Sequence, residues 1–361
     1  MTRKDFLQTV AGSALAAYVP VSYAADTRPP QAKMKLGVTL YSYGIDYLMG
    51  TMNLEDCIAD VASMGGEGVE ILGETHVEGY PNPSAKWVEQ WFALMNKYGT
   101  KPSCLDQFVD SMRYGPDKYL TADQSMGELE RDFKLAKRLG YKILRPTFGK
   151  SDIPTVQLLE KAIPMAEKYD IKIAVELHSP FKLKSREGDE YLSLLAKTRT
   201  KHFGFTLDMS IFTKTPPRAQ GSEIAGLKER GARDKVLEYV IQAYQNDMGS
   251  EKTMTELKKM GANEAEMSYA SMGGVYHFSY SDPKDLTPYL PYTYHCHGKF
   301  YEMMDDLHEY SIPYEQVIPV MIAGGYSGYI SSEFEGPQTL FLATDQIRRQ
   351  HAMLRGLFTP A

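Results

Sequence analysis

A chain of 361 residues, 43% hydrophobic and 24% charged, has the composition of a globular enzyme and is long enough for one large barrel or two smaller domains. Forty basic side chains against forty-six acidic ones leave a net charge of −6, so no field draws in nucleic acid and a polynucleotide substrate is disfavoured. Three cysteines, Cys57, Cys104 and Cys296, are an odd number without C-x-x-C spacing, which argues against a disulfide framework and against a cysteine-based zinc site.

The N-terminus reads as an export leader over residues 1–25. Arg3 and Lys4 precede Phe6 and Leu7, a small-residue apolar stretch follows, and Ser22, Tyr23 and Ala24 form an A-x-A-like cleavage site. The pattern is similar to a twin-arginine signal with Lys in the second basic position, and it predicts a periplasmic protein. The apolar run is too short to span a bilayer, so no stable membrane insertion is expected after processing.

From residue 35 to the C-terminus, short β-like runs alternate with amphipathic helical patterns, which predicts an α/β fold with a parallel sheet. Eight strand candidates stand out: KLGVTLYSY, EGVEIL, PSCLDQF, YKILRPTF, IKIAVELH, HFGFTLDMS, YTYHCHGKFY and GYISSEFEG. Helical patterns between them cover Leu54–Met64, Ser84–Tyr98, Met126–Leu139, Thr155–Tyr169, Tyr191–Lys197, Tyr314–Ala323 and Thr344–Leu354. Eight strand–helix units predict a TIM (β/α)8 barrel, whose chemistry sits at the carboxyl ends of its strands. Alternation then assigns faces: Glu176 shares one with His178, Thr206 with Asp208, and His295 with His297 and Lys299. Glu333 and Glu335 share another, and all of these face the barrel interior. A long insertion, 209–291, separates strands six and seven and leaves strand six at the catalytic end, where it is expected to cover the mouth and present Arg218, Arg230 and Arg233 to a ligand or to solvent.

Strands five to eight each end in a group that can bind a metal: Glu176, Asp208, His297 and Glu333. Three carboxylates and one imidazole suit one hard divalent cation, Mn²⁺ ahead of Mg²⁺, Co²⁺ or Zn²⁺, with a coordination position open to substrate. His178, beside Glu176, is a candidate general base, with orientation of a ligand as its alternative role. Lys299 is placed to stabilise an oxyanion, while His295, one step deeper, reads as an interior histidine or a substrate contact. Glu70 and Arg145 point inward from strands two and four and could pair with each other or grip sugar hydroxyls. His76, Trp87 and Trp91 border the expected mouth, the tryptophans with core packing as their default. The GGYSG run at Gly324–Gly328 lacks the Lys and Ser/Thr of a P-loop and reads as a turn.

The quartet resembles the xylose-isomerase-like TIM-barrel superfamily of sugar isomerases and epimerases, in which a Glu, an Asp, a His and a Glu on strands five to eight hold the metal. Within it, YPNPSAKWVEQW, VELHSP, HCHGKFYEM and SSEFEG are most similar to the catalytic subunits of bacterial C-glycoside deglycosidases. The resemblance implies Glu176, Asp208, His297 and Glu333 as ligands, and the strand faces add His178, Glu176, Glu333 and Lys299 as the candidate catalytic set. A carbohydrate substrate is expected, with Arg145, His76 and His295 as candidate contacts from their places on the strands, and either a homo-oligomer or a small accessory subunit is expected as partner. One departure stands out. Ketose 3-epimerases of the superfamily carry a sugar-binding His three residues after the strand-six Asp, and that place is Ile211 here. The expected chemistry is proton abstraction next to a carbonyl, ending in isomerisation or epimerisation, or in cleavage of a 3-oxo-glycoside by β-elimination. A multi-zinc endonuclease and a non-catalytic sugar-binding barrel are the other readings.

Overall fold

The structure, a computed structural model, describes residues 34–109, 118–149, 151–217, 221–338 and 341–358. The export leader expected at residues 1–25 lies outside them, as does Arg218. Eight parallel strands close into a barrel in chain order: β1 Lys35–Thr39, β2 Gly68–Leu72, β3 Lys101–Val109, β4 Ile143–Phe148, β5 Lys172–Leu177, β6 Phe203–Asp208, β7 Thr293–Phe300 and β8 Tyr329–Phe334. Val38, Ile71, Leu105, Leu144, Ile173 and Leu207 are wholly buried. They belong to the apolar layer between strands and helices, the main hydrophobic term of the fold.

Local chemistry sets the boundaries. The helix Ala122–Leu139 starts four residues before the expected Met126, because Thr121 and Gln124 form a reciprocal capping box at its first turn. The helix Arg186–Thr198 likewise starts early, where the Ser185 hydroxyl accepts from Gly188 N–H. Both Ala85–Tyr98 and Ala122–Leu139 end at a glycine with positive φ, Gly99 and Gly140, the left-handed cap that a β-carbon would strain. Strand one is shorter than its sequence pattern. It stops at Thr39, and residues 40–43 turn as a 3₁₀ helix, so that Ser42 Oγ donates to Ser332 O at 3.1 Å and accepts from Phe334 N–H at 2.9 Å. Tyr41, expected on the strand, is thereby placed at the barrel mouth. The Gly324–Gly328 run is the turn into β8, with Gly325 at φ +76°.

Among the described residues between Asp208 and Thr293 are the α-helices Gly221–Glu229, Asp234–Gln245, Ser250–Lys259 and Glu264–Tyr269. This connection is bound to the loop that leaves β5. Ser179 Oγ donates to Ser210 O at 2.7 Å and accepts from Ser279 N–H at 3.0 Å, while Leu183 N–H donates to Ser281 Oγ at 3.1 Å. Arg233 is half-exposed and paired within the connection. Its guanidinium grips both oxygens of Glu266 at 2.8 Å, and that buried carboxylate also caps the helix it begins, so the arginine holds two helices of the connection together.

Candidate metal centre

Strand register delivers the four expected ligands to one level. Asp208 pairs with His297, Glu176 with Thr206, and Lys299 with Glu333 across neighbouring strands. One ligand atom from each of Glu176, Asp208, His297 and Glu333 lies within 4.8 Å of those of the other three. His297 Nδ1 is 2.5 Å from Glu176 Oε1, 3.0 Å from Glu333 Oε2 and 3.7 Å from Asp208 Oδ2. Asp208 and His297 are fully buried, and Glu333 is 5% exposed.

The donors fit a divalent cation on two grounds. Asp208 Oδ2 and Glu333 Oε2 are buried without a hydrogen-bond partner, and the positive groups they face, Lys299 Nζ at 3.6 Å and His297 Nδ1 at 3.0 Å, are each shared with other carboxylates, which leaves these oxygens able to bind a cation. Acidic side chains also outnumber basic ones in the cluster. Glu70, Asp106, Glu176, Asp208, Glu333 and Glu335 crowd around one guanidinium, one ammonium and two imidazoles. Burial opposes the charge on His297, but Glu70, Glu333 and Glu176 hold its pKa well above the ordinary imidazole value. Burial would likewise raise Glu176, yet Arg145 and His297 hold it well below the usual carboxylate range. Asp106 goes the other way. Burial lifts it well above that range despite Arg145 at 3.0 Å, with Glu70 and Glu176 adding repulsion.

The site opens into a cleft of about 240 Å³ whose lining includes Glu176, His178, Lys299, Glu333, Glu335 and Arg145. His178 Nδ1 donates to Ser179 O at 2.5 Å, which orients the ring and leaves Nε2 free of that bond. Lys299 Nζ lies 3.1 Å from Glu333 and 2.7 Å from Glu335, and although burial disfavours its charge, Glu333, Asp208 and Glu335 keep it protonated. Arg145 bridges Asp106 and Glu176, at 3.0 and 3.3 Å, rather than pairing with Glu70.

Two residues expected to touch substrate lie away from the cleft lining. His76 is buried against the Tyr47 ring, its Nδ1 3.1 Å from Leu72 O, and burial lowers its pKa to about 4. The short helix Gly73–His76 turns it off the strand direction. His295 has no exposed surface and its Nε2 meets Glu70 at 2.7 Å, beneath the ligand level. Trp87 and Trp91 are core residues, stacked on each other with ring centroids 6.2 Å apart. Conversely, the lining includes Glu335, which the sequence placed on an inward face without a role, and Tyr41, Phe108, Tyr301, Ser210 and His277, to which it gave none. For Glu335 the shared face with Glu333 was the available signal. His277 had none, because it arrives from the long connection.

Residues 58–228 match the family model described as "Xylose isomerase-like TIM barrel". The closed eight-stranded parallel sheet is a TIM barrel. Along nearly its whole length the chain is also similar to a 3'-dehydrocarminate deglycosidase alpha subunit from Microbacterium sp, with 27% identity covering 90% of this chain and 95% of that protein. A C-glycoside deglycosidase alpha subunit from Arthrobacter globiformis is 25% identical over 89% of this chain and 92% of its own. Among solved structures, a sugar phosphate isomerase/epimerase from Parabacteroides distasonis superposes on 94% of this chain and 100% of its own with TM-score 0.52 and 14% identity, a likeness of fold. The barrel thus carries a cluster able to hold a metal, at the end of the strands where TIM barrels do chemistry.

Proposed function

We propose that this protein is a metal-dependent carbohydrate enzyme that removes a proton next to a carbonyl, and that its reaction is the cleavage of a 3-oxo-glycoside by β-elimination. The observation that carries the first half is the pairing of His178, its Nε2 free of the Ser179 bond, and the Glu176–Asp208–His297–Glu333 cluster in one small cleft. Glu176, Asp208, His297 and Glu333 would hold the cation. A divalent ion bound there supplies a Lewis acid that acidifies the C–H beside a bound carbonyl and draws charge toward the carbonyl oxygen.

The chain's own groups do the rest. His178 Nε2 accepts the hydrogen of the carbon between the carbonyl and the anomeric carbon, as a proton. The electron pair left behind forms a double bond to the anomeric carbon, the bond to the aglycone breaks, and the aglycone departs with its electron pair and takes up a proton. Arg145, held by Asp106 and Glu176, and Lys299, held by Glu333 and Glu335, keep two cations on the cleft wall where oxygen charge develops.

The lyase outcome is favoured over isomerisation by two observations. The relatives similar over nearly the full chain are named deglycosidase alpha subunits. The position expected for the sugar-binding histidine of a ketose epimerase is Ile211, wholly buried, with its backbone carbonyl tied to Ser281 N–H at 2.8 Å. Isomerisation or epimerisation of a free sugar is the second reading, because it shares the proton abstraction. The name alpha subunit further supports an accessory subunit as partner, and the leader-like first residues support export, which N-terminal sequencing of the native protein tests. The decisive assay incubates the metal-loaded protein with a 3-oxo-glycoside, its unoxidised parent and free ketoses, and reads products by mass spectrometry. Aglycone release from the oxidised glycoside alone supports the lyase, whereas interconversion of ketoses without release replaces it with the epimerase.

A further inference from the structure

Glu70 stands on β2, across the barrel from the strands that carry the metal-ligand candidates, and it is fully buried. Its carboxylate is divided between two histidines of β7. Oε1 lies 2.6 Å from His297 Nε2, and Oε2 lies 2.7 Å from His295 Nε2. A carboxylate can only accept, so each imidazole donates an Nε2–H to it. For His297 this has a directional consequence. With Nε2 committed as a donor, the only nitrogen that can offer a lone pair is Nδ1, the one facing Glu176, Glu333 and Asp208.

We infer that Glu70 is the positioning residue of the metal centre, and that it fixes His297 in the Nε2–H tautomer so that Nδ1 is presented as a ligand. This rests on the metal site proposed above and extends it to a residue outside the ligand set. The sharing with His295 makes the geometry rigid. Rotation of the carboxylate to free His297 would strand His295, whose Nδ1 already lacks a partner inside the barrel. A neutral amide at position 70 has one accepting and one donating end, so it cannot accept from both histidines. One imidazole must then change tautomer or lose its bond.

The test is Mn²⁺ affinity, measured by calorimetry on the full chain, for the wild type and for Glu70→Gln and Glu70→Asp, with thermal melts confirming that each variant folds. Glu70→Gln is expected to weaken binding on the order of 10- to 100-fold, the usual effect of losing a carboxylate behind a metal-bound histidine, with Glu70→Asp regaining part of it. Binding by Glu70→Gln within twofold of the wild type overturns the inference. If the variants do not fold, the wild type decides alone: long-range ¹H–¹⁵N correlation in the Mg²⁺- or Zn²⁺-loaded protein is expected to show His297 protonated on Nε2, and protonation on Nδ1 overturns it. Wild-type protein that binds no cation would instead remove the metal site itself, which separates the two failures.

Discussion

His297 Nδ1 and Glu176 Oε1 are 2.5 Å apart, on strands β7 and β5 that do not pair with each other, and in the metal-free protein a proton must lie between them. A cation binding at this cluster has to displace that proton. Because Glu70, Glu333 and Glu176 outweigh burial and raise the His297 pKa, the proton is held to higher pH than on a free imidazole. The sign follows. In the metal-free fold the stabilisation from charged His297 is complete below the ordinary imidazole pKa of about 6.5 and is lost as pH rises through the raised folded value. Mn²⁺ affinity should therefore climb about tenfold per pH unit across the neutral range, with roughly one proton released per ion. Calorimetry in buffers of different ionisation enthalpy measures that release, and a pH-independent affinity would contradict it.

Replacing His178 by Gln should lower turnover ~10²-fold or more, the usual contribution of a general base, while bound metal is unchanged. His178 Nδ1 is occupied by Ser179 O, and none of its atoms belongs to the ligand cluster. Metal loss in the variant would recast the residue as a ligand. Unchanged turnover would remove it from the chemistry.

Tyr41 and Phe108 give the cleft an apolar side. Both line it and remain 44% and 38% exposed, from the ends of β1 and β3, while the ligands come from β5 to β8. A sugar held at the polar half would place a flat aglycone against these rings. Phe108→Ala should weaken the apparent affinity for an aryl glycoside by about 0.5–1.5 kcal/mol, roughly two- to tenfold in KM, with little change for an alkyl glycoside of the same sugar. Equal losses on both substrates would deny the stacking role.

How much was legible in the sequence follows from what each residue depends on. Glu176, Asp208, His297 and Glu333 sit at the ends of strands whose alternation is regular, so period and strand count suffice to bring them together. Arg145 and Lys299 were legible on the same parity. His76 was misplaced because a single helical turn, Gly73–His76, rotates it away from the strand direction, and alternation says nothing past a strand's end. The pairing of Glu70 with His295 and His297 spans more than 220 residues, and only the closed barrel reveals it over the expected pair with Arg145. The role of Arg233 was hidden in the same way, since Glu266 becomes its partner only when the helices of the long connection fold back on one another.

The account depends most directly on one cation bound at Glu176, Asp208, His297 and Glu333. Calorimetric titration of Mn²⁺ into the metal-stripped protein, alongside Asp208→Asn and His297→Gln, measures it. One ion per chain in the wild type is expected, with affinity lost by ~10²-fold or more in each folded variant. A wild-type chain that binds no divalent cation, or variants that bind as tightly as the wild type, would contradict the account.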